Sequence, residues 1–194
     1  MRTIQTSITC LALLSTLWGC GPSWKVVRQA SPNPFVSNRQ WGIQPMAYEG
    51  LRVGRGAEAE FLSGKSPEQI ASWEQDKAAL DTEFRGALQS EAGVALVAPG
   101  GVPFTIAAQV TFIEPGFYAV VAQEATEVHL TLRLFDSRTN AVLDEVQFEC
   151  TQSPGGTTIG GIAVTDVSVG ARIRTCGKEL GGDVADYLRA RTGT

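Results

Sequence analysis

Three stretches in the middle of the chain alternate apolar and polar residues, the pattern of strands with one buried face. They span residues 104–112, 128–134 and 142–150. A short all-apolar run from Val94 to Ala98 predicts a further strand, and Trp41 to Tyr48 indicates a weaker one. Pro45 places that weaker strand at an edge or a bulge, because proline cannot donate a ladder hydrogen bond.

Two longer stretches carry apolar residues at helical spacing. The first begins at Ser66, where Pro67 and Gln69 complete a capping box, and it ends at Gly93. The second covers about residues 167–189. The two apolar stripes consist of Ile70, Trp73, Leu80, Phe84 and Leu88, and of Ile173, Cys176, Leu180, Val184 and Leu188.

The order of these elements predicts the fold class. A strand, a helix, a second strand, a meander of strands and a final helix are typical of an α+β domain. We expect a mainly antiparallel sheet of about four or five strands, with the two long helices on one face. The domain is expected to cover residues 41–194.

The first 19 residues predict a lipoprotein signal peptide. Arg2 precedes an apolar run, Ile8 to Leu14, that is too short to span a bilayer, which takes about 20 apolar residues. The segment closes on Leu17-Trp18-Gly19, immediately before Cys20. This arrangement indicates secretion, because a positive start, an apolar centre and a small residue before the cut define a secretory signal.

The end of this leader resembles a bacterial lipobox. Leu17, Gly19 and Cys20 match its pattern, whereas Trp18 departs from the small residue usual there. The resemblance implies cleavage before Cys20, a diacylglycerol thioether on its sulfur and an acyl chain such as palmitate on its amine. Gly21, where an Asp would signal retention, implies passage to the outer membrane. The alternative is an ordinary signal peptide cut elsewhere.

Residues 20–40 are predicted to be the lipidated cysteine and a tether. Pro and Asn residues interrupt any periodicity here, which favours a spacer between lipid and domain. Trp24, Val26 and Val27 leave a second interpretation open, a first edge strand. The pattern does not decide between the two.

Charge limits the class of partner. Removing residues 1–19 takes away only Arg2, so the remaining 15 basic and 20 acidic residues move the net charge from −4 to −5. Nucleic-acid binding is not expected, because it calls for a basic surface. The membrane contact is expected through the lipid on Cys20.

Cys150 and Cys176 remain after Cys10 leaves with the signal peptide and Cys20 takes the lipid. Both fall on apolar faces, in a compartment that permits disulfides, which favours a bridge between them. Two free thiols or a metal pair are the alternatives. A zinc site is not expected, because the chain has one His and no Cys-x-x-Cys motif.

Candidate catalytic and cofactor sites are few, and we expect neither catalysis nor a bound cofactor or metal. The Gly-rich loop at 155–161 precedes a helix but lacks the Lys and Ser/Thr of a phosphate-binding loop. His129 lies on the strand face opposite the leucines, where exposure or a surface hydrogen bond is expected. Glu145 and Glu149 share a strand face, which does not by itself define a carboxylate pair for glycoside hydrolysis.

A family resemblance covers roughly residues 66–190. It rests on Gly93-Val94-Ala95-Leu96-Val97 after the first helix, Glu114-Pro115-Gly116 at a strand end, Asp136 in a turn, and Cys176-Gly177-Lys178-Glu179-Leu180 in the last helix. The chain resembles bacterial envelope lipoproteins whose domain is similar to the curli-secretion lipoprotein and to the amino-terminal domain of TolB. The resemblance implies roles in envelope assembly, secretion or periplasmic protein contacts, without catalytic residues.

The sequence thus predicts a non-enzymatic, outer-membrane lipoprotein that binds an envelope protein. Its expected contact surface is an apolar patch near Phe117 and Tyr118, or an open sheet edge. The alternative is a small-molecule or glycan binding module with a pocket near Trp41 and the 153–162 loop. A hydrolase is a third hypothesis, which would need three polar residues converging in a cleft.

Overall fold

The computed structural model describes residues 23–119, 122–153, 157–159, 162–164 and 168–193. Its helices are α1 (Glu58–Leu62), α2 (Pro67–Glu91) and α3 (Val169–Thr192). Its strands are β1 (Trp24–Arg28), β2 (Gln40–Ile43), β3 (Arg52–Val53), β4 (Gly56–Ala57), β5 (Ala95–Val97), β6 (Phe104–Glu114), β7 (Phe117–Ala119), β8 (Ala122–Glu124), β9 (Thr126–Asp136), β10 (Val142–Gln152), β11 (Thr157–Ile159) and β12 (Ile162–Val164).

The fold is α+β, and its main sheet is larger and more mixed than predicted. Eight strands form it, in the order β1-β10-β9-β6-β2-β5 with β3 and β4 attached to β6. β6, β9 and β10 form the predicted antiparallel meander, but β2 pairs in parallel with β5 and β6. The parallel pairing follows from α2, which returns the chain to the starting end of β2. The sequence does not predict β3 and β4, because each strand has only two residues and so shows no alternation of apolar and polar positions.

Part of the predicted tether belongs to the fold. β1 pairs with β10 in antiparallel register, Trp24 opposite Phe148 and Val26 opposite Val146. Phe35 is fully buried against the rings of Trp41 and Phe104. The sequence pattern favours a spacer because four of the five β1 residues are exposed, and because Phe35 and Val36 form only a short apolar pair among Pro, Ser and Asn residues. The edge strand is the interpretation that fits.

The helix ends follow the predicted capping chemistry. The Ser66 hydroxyl accepts a hydrogen bond from the backbone N–H of Gln69, and the side-chain oxygen of Gln69 accepts one from the backbone N–H of Ser66. These two bonds complete the capping box. Gly93 lies just beyond α2 with φ +64°. Ser168 caps α3. Across the described residues, no helix combines the length and the apolarity needed to cross a membrane.

One core joins the inner face of the sheet to α2 and α3. In β9 the alternating apolar residues are all buried, namely Val128, Leu130, Leu132 and Leu134. A disulfide between Cys150 and Cys176 ties β10 to α3, with the two Cα atoms 5.5 Å apart. The predicted bridge is therefore formed.

A bulge in β6 changes which residues reach the core. The β6–β9 register shifts between Val110 and Phe112, so Thr111 has no partner on β9. Val110 and Ile113 are buried, whereas Phe112 lies on the outer face. The alternation over residues 104–112 predicts Phe112 on the buried face together with Ile106, Ala108 and Val110. This prediction is wrong, because one extra residue reverses the alternation.

Candidate functional site

The polar residues of β9 and β10 lie on the sheet face opposite the helices. Successive strand residues point to opposite faces, so Glu127, His129 and Arg133 face away from the leucines between them. Across β10, Glu149 stands opposite His129, and Glu145 stands opposite Arg133. The outer face thus presents ionisable side chains in cross-strand pairs.

Three of these side chains converge, and we call Glu127, His129 and Glu149 the His129 cluster. The Nε2 atom of His129 lies 2.5 Å from Oε1 of Glu127. One ligand atom from each of the three residues lies within 4.8 Å of the others. His129 and Glu127 are half-buried, and Glu149 is exposed. The predicted surface hydrogen bond of His129 is therefore present.

The bulge of β6 shapes the surroundings of this cluster. Phe112 stands opposite His129, and the two ring centroids are 4.9 Å apart. The guanidinium carbon of Arg52 lies 5.8 Å from the centroid of the Phe112 ring. Because the extra residue turns Phe112 outward, the imidazole gains an aromatic neighbour that restricts its orientation.

Two cavities open beside His129. An open groove of about 580 Å³ is lined by Gly50, Arg52, Thr111, Phe112, Glu127 and His129. A smaller cavity of about 90 Å³ includes Thr111, His129, Gln147 and Glu149 in its lining. Thr111 and His129 line both, so a ligand in the groove would reach the imidazole directly.

The two glutamates noted on β10 have separate environments. Glu145 accepts a hydrogen bond from Arg133 Nε at 2.8 Å, and Arg133 also donates to Gln109. Glu149 lies beside His129 instead. Four residues of extended chain separate the two glutamates by about 13 Å. This is a distance along the backbone, and because the two carboxylates have different neighbours the structure does not pair them as a glycosidase dyad.

The strand alternation predicts the sheet face on which His129 lies but does not reveal the cluster. The two-residue spacing of Glu127 and His129 was a readable signal, since residues two apart share a strand face. Glu149 could not be added without the β9–β10 register, which depends on the length of the connecting turn. Asp136 sets that turn by accepting hydrogen bonds from the amides of Arg138 and Thr139.

Trp41 has no exposed surface with which to line the expected pocket, although a cavity of about 550 Å³ opens beside β2 and is lined by Gln44, Pro99, Val102 and Thr105 among others. Trp41 is fully buried between the rings of Phe35 and Phe104, so its indole fills the core instead of lining a cleft. In the 153–162 loop, residues 154–156 and 160–161 lie outside the described residues. The loop part of that hypothesis, including the 155–161 glycine run, therefore stays a prediction.

Both regions predicted as contact surfaces contain exposed apolar side chains, and partner binding there stays a prediction. Phe117 is 47% exposed at the start of β7. On the edge strand β1, Val26 is 44% exposed and Val27 is 51% exposed. The side chain of Tyr118 lies outside the described residues, as do Cys20 and the signal peptide.

Comparisons with known proteins define no family. No protein-family model matches the chain, and no curated protein matches it. Among solved structures, the chain is similar to a hypothetical protein of Chlamydia trachomatis, with a TM-score of 0.47 and 16% identity over 78% of this chain and 98% of that one.

Two further solved structures are similar to this chain with comparably low TM-scores and sequence identities. A protein of Xanthomonas campestris has a TM-score of 0.48 and 13% identity, covering 86% of this chain and 93% of its own. The lipoprotein GNA1162 of Neisseria meningitidis has a TM-score of 0.38 and 14% identity, covering 63% and 88%. With TM-scores this low, the similarities carry no argument about function. The resemblance to the curli-secretion lipoprotein and TolB stays a prediction.

Proposed function

We propose that this chain is a lipid-anchored protein of the bacterial envelope, without enzymatic activity, whose α+β domain binds a protein partner through the open edge of its sheet. The observation that carries the proposal is β1, an edge strand with exposed apolar side chains that starts four residues after Cys20. Lipidation of Cys20 would supply the membrane contact.

The position of β1 brings the domain close to the anchor. The chain from Cys20 to Trp24 can extend over at most about 14 Å, whereas a free tether up to residue 40 would reach about 70 Å. An anchored domain would therefore stay beside the bilayer and could contact only partners close to the membrane surface. This favours a partner that itself lies at the membrane surface.

The chemistry of β1 favours an extended partner segment. One side of β1 pairs with β10, and on its other side the described residues place no strand. Unpaired backbone groups beside exposed Val26 and Val27 form a surface to which another strand can add. Lys25 and Arg28 on the same strand favour acidic residues in that segment.

The anchor is tested by Cys20→Ser. The wild-type protein is expected to incorporate radiolabelled palmitate and to fractionate with outer membranes on a density gradient. The variant should lose the label and leave the membrane fraction, because no acyl chain remains to hold it. Label and membrane association that persist in the variant would contradict the anchor.

The docking surface is tested by placing a photo-crosslinking amino acid at Val27. A discrete adduct is expected in intact cells, since the side chain projects from the open edge. The same amino acid at Gln75, an exposed residue of α2, serves as the control and should give no such adduct. Adding Val26→Asp should abolish the adduct, because a carboxylate on the edge removes the apolar contact and repels the acidic segment expected to add there. Equal adducts from both positions, or none from Val27, would contradict the proposal.

A further inference from the structure

We propose that Glu127, His129 and Glu149 form a binding site for a divalent transition-metal ion, best suited to Zn²⁺. This site is separate from the β1 edge and does not depend on the function proposed above. Each residue offers one ligand atom, and these atoms lie within 4.8 Å of one another. Zinc donors at about 2.0–2.2 Å in a tetrahedron lie about 3.4 Å apart, so small rotations of the two glutamates close the site.

The ligands are fixed by the sheet rather than by loops. Glu127 and His129 are two residues apart on β9, and Glu149 is the direct partner of His129 on β10. β9 is hydrogen-bonded on both sides, by β10 and by β6. Next to Glu149, Cys150 points to the opposite face, where the disulfide fastens β10 to α3. A rigid scaffold of this kind lowers the entropic cost of bringing three ligands together.

Neighbouring groups orient the imidazole. Phe112 packs against the His129 ring at a centroid distance of 4.9 Å, and the bulge at Thr111 is what turns Phe112 to this face. The Nε2 atom that would bind the metal already faces Glu127 Oε1 at 2.5 Å. A metal ion would replace that hydrogen bond with two coordinate bonds and would keep the side chains in nearly the same place.

Charge and donor type select the metal. Two carboxylates and a neutral imidazole carry a charge of −2, which a divalent cation balances. Within the described residues, the Glu149 carboxylate has no hydrogen-bond or ion-pair partner, whereas the carboxylate of Glu145 on the same face is paired with Arg133. The imidazole nitrogen favours Zn²⁺ and its transition-metal neighbours over Mg²⁺ and Ca²⁺, which prefer oxygen-only sites.

The groove beside the cluster leaves room for a further ligand. It has a volume of about 580 Å³ and is lined by both Glu127 and His129. Three protein ligands with one open position describe a zinc ion that keeps a water or a partner's side chain as its fourth ligand. The proposed site would therefore be accessible to solvent and to exchangeable ligands.

The test uses the mature full-length protein, purified in detergent and freed of metals by a chelator. Titration with ZnCl₂ in a calorimeter is expected to give one ion per chain with a dissociation constant in the micromolar range or below. His129→Ala and Glu149→Gln should each weaken zinc binding at least tenfold. Glu145→Gln is the matched control, since it changes a carboxylate on the same strand and face that lies outside the cluster.

Two further measurements separate a specific site from other causes. Circular dichroism of each variant without metal should match the wild type, so that a loss of binding reports the ligand and not misfolding. MgCl₂ in place of ZnCl₂ should give at least a hundredfold weaker binding. The proposal would be overturned if the wild type bound no zinc, or if both cluster variants still bound it as tightly as the wild type. It would also be overturned if Glu145→Gln lost zinc binding to the same extent, or if Mg²⁺ bound as tightly as Zn²⁺.

Discussion

Gly181 of α3 lies directly against Phe84 of α2, so that a Cβ atom on Gly181 would come 2.4 Å from the Phe84 carbonyl oxygen. One turn earlier, a Cβ on Gly177 would come 2.6 Å from the carbonyl oxygen of Leu80. Two glycines at a spacing of four thus let the backbones of the two helices touch. The sequence stripe of α3 identified its apolar residues but not this close approach.

Gly181→Ala is expected to lower the free energy of unfolding by about 1–3 kcal/mol, because the methyl group would force the helices apart. This loss should appear although alanine has the higher helix propensity. Gly86→Ala on α2 is the matched control, since nothing lies within 4 Å of its added Cβ. That variant should gain up to about 1 kcal/mol. Urea unfolding measures both, and equal stability of the two variants would contradict the close packing.

The disulfide is expected to stabilise the domain by about 2–4 kcal/mol. The double variant Cys150→Ala, Cys176→Ala should lose this amount in urea unfolding, because the bridge no longer joins β10 to α3. A phosphine reductant should lower the stability of the wild type towards that of the double variant and leave the variant unchanged. Mass spectrometry should find neither cysteine alkylated before reduction. Two alkylated thiols in the unreduced protein would contradict the bridge.

The sequence predicted best where an element has a strong period and local end signals. α2 begins at the Ser66 capping box and stops before Gly93, and β9 buries its alternating residues as expected. The disulfide followed from two apolar faces that each contained a cysteine. These features depend on neighbours close in sequence, which is why the pattern contains them.

The pattern of apolar and polar residues does not predict the structure where pairing between segments distant in sequence determines it. β1 is ordered by β10, more than a hundred residues later, and carries no alternation of its own. The bulge at Thr111 adds one residue without any local signal, so the alternation predicts the wrong sheet face for Phe112. The His129 cluster needs the β9–β10 register, which the alternation of either strand leaves undetermined.

Asp144 is a buried charge that fastens the N-terminal segment to the domain. Its carboxylate accepts hydrogen bonds from the Tyr187 hydroxyl at 2.6 Å, from Arg191 Nε at 2.8 Å and from the Ala30 amide at 2.8 Å. Arg191 also donates to the Ala30 carbonyl. Burial and the bond to Asp144 raise the pKa of Tyr187, so its hydroxyl stays protonated as the donor.

Asp144→Ala is expected to cost about 3–5 kcal/mol, because it leaves the Arg191 guanidinium buried without its partner. The N-terminal segment should loosen as well, so trypsin should cleave after Arg28 faster than in the wild type. Asp81→Ala, which removes a surface ion pair with Arg85, is the control and should change stability by less than about 1 kcal/mol. Unchanged proteolysis of Asp144→Ala would show that β1 is held by other contacts.

Asp76 on α2 predicts a dependence of stability on pH. Burial raises the pKa of Asp76, and the nearby Arg174 offsets part of this effect. The folded protein therefore binds this proton more tightly than the unfolded chain. The contribution of Asp76 to stability is highest at acid pH, where both states are protonated, and falls as the pH rises through the raised pKa.

Asp76→Asn should accordingly increase the free energy of unfolding at pH 7, because the amide carries no charge to desolvate. The gain should shrink as the pH is lowered and vanish near pH 3, where the wild-type carboxyl is also neutral. Glu83→Gln, an exposed carboxyl on the same helix, is the control and should show no such trend. Urea unfolding at pH 7, 5 and 3 checks the result. A gain that is constant across this range would show that lost hydrogen bonding or packing, and not the charge on Asp76, sets the difference.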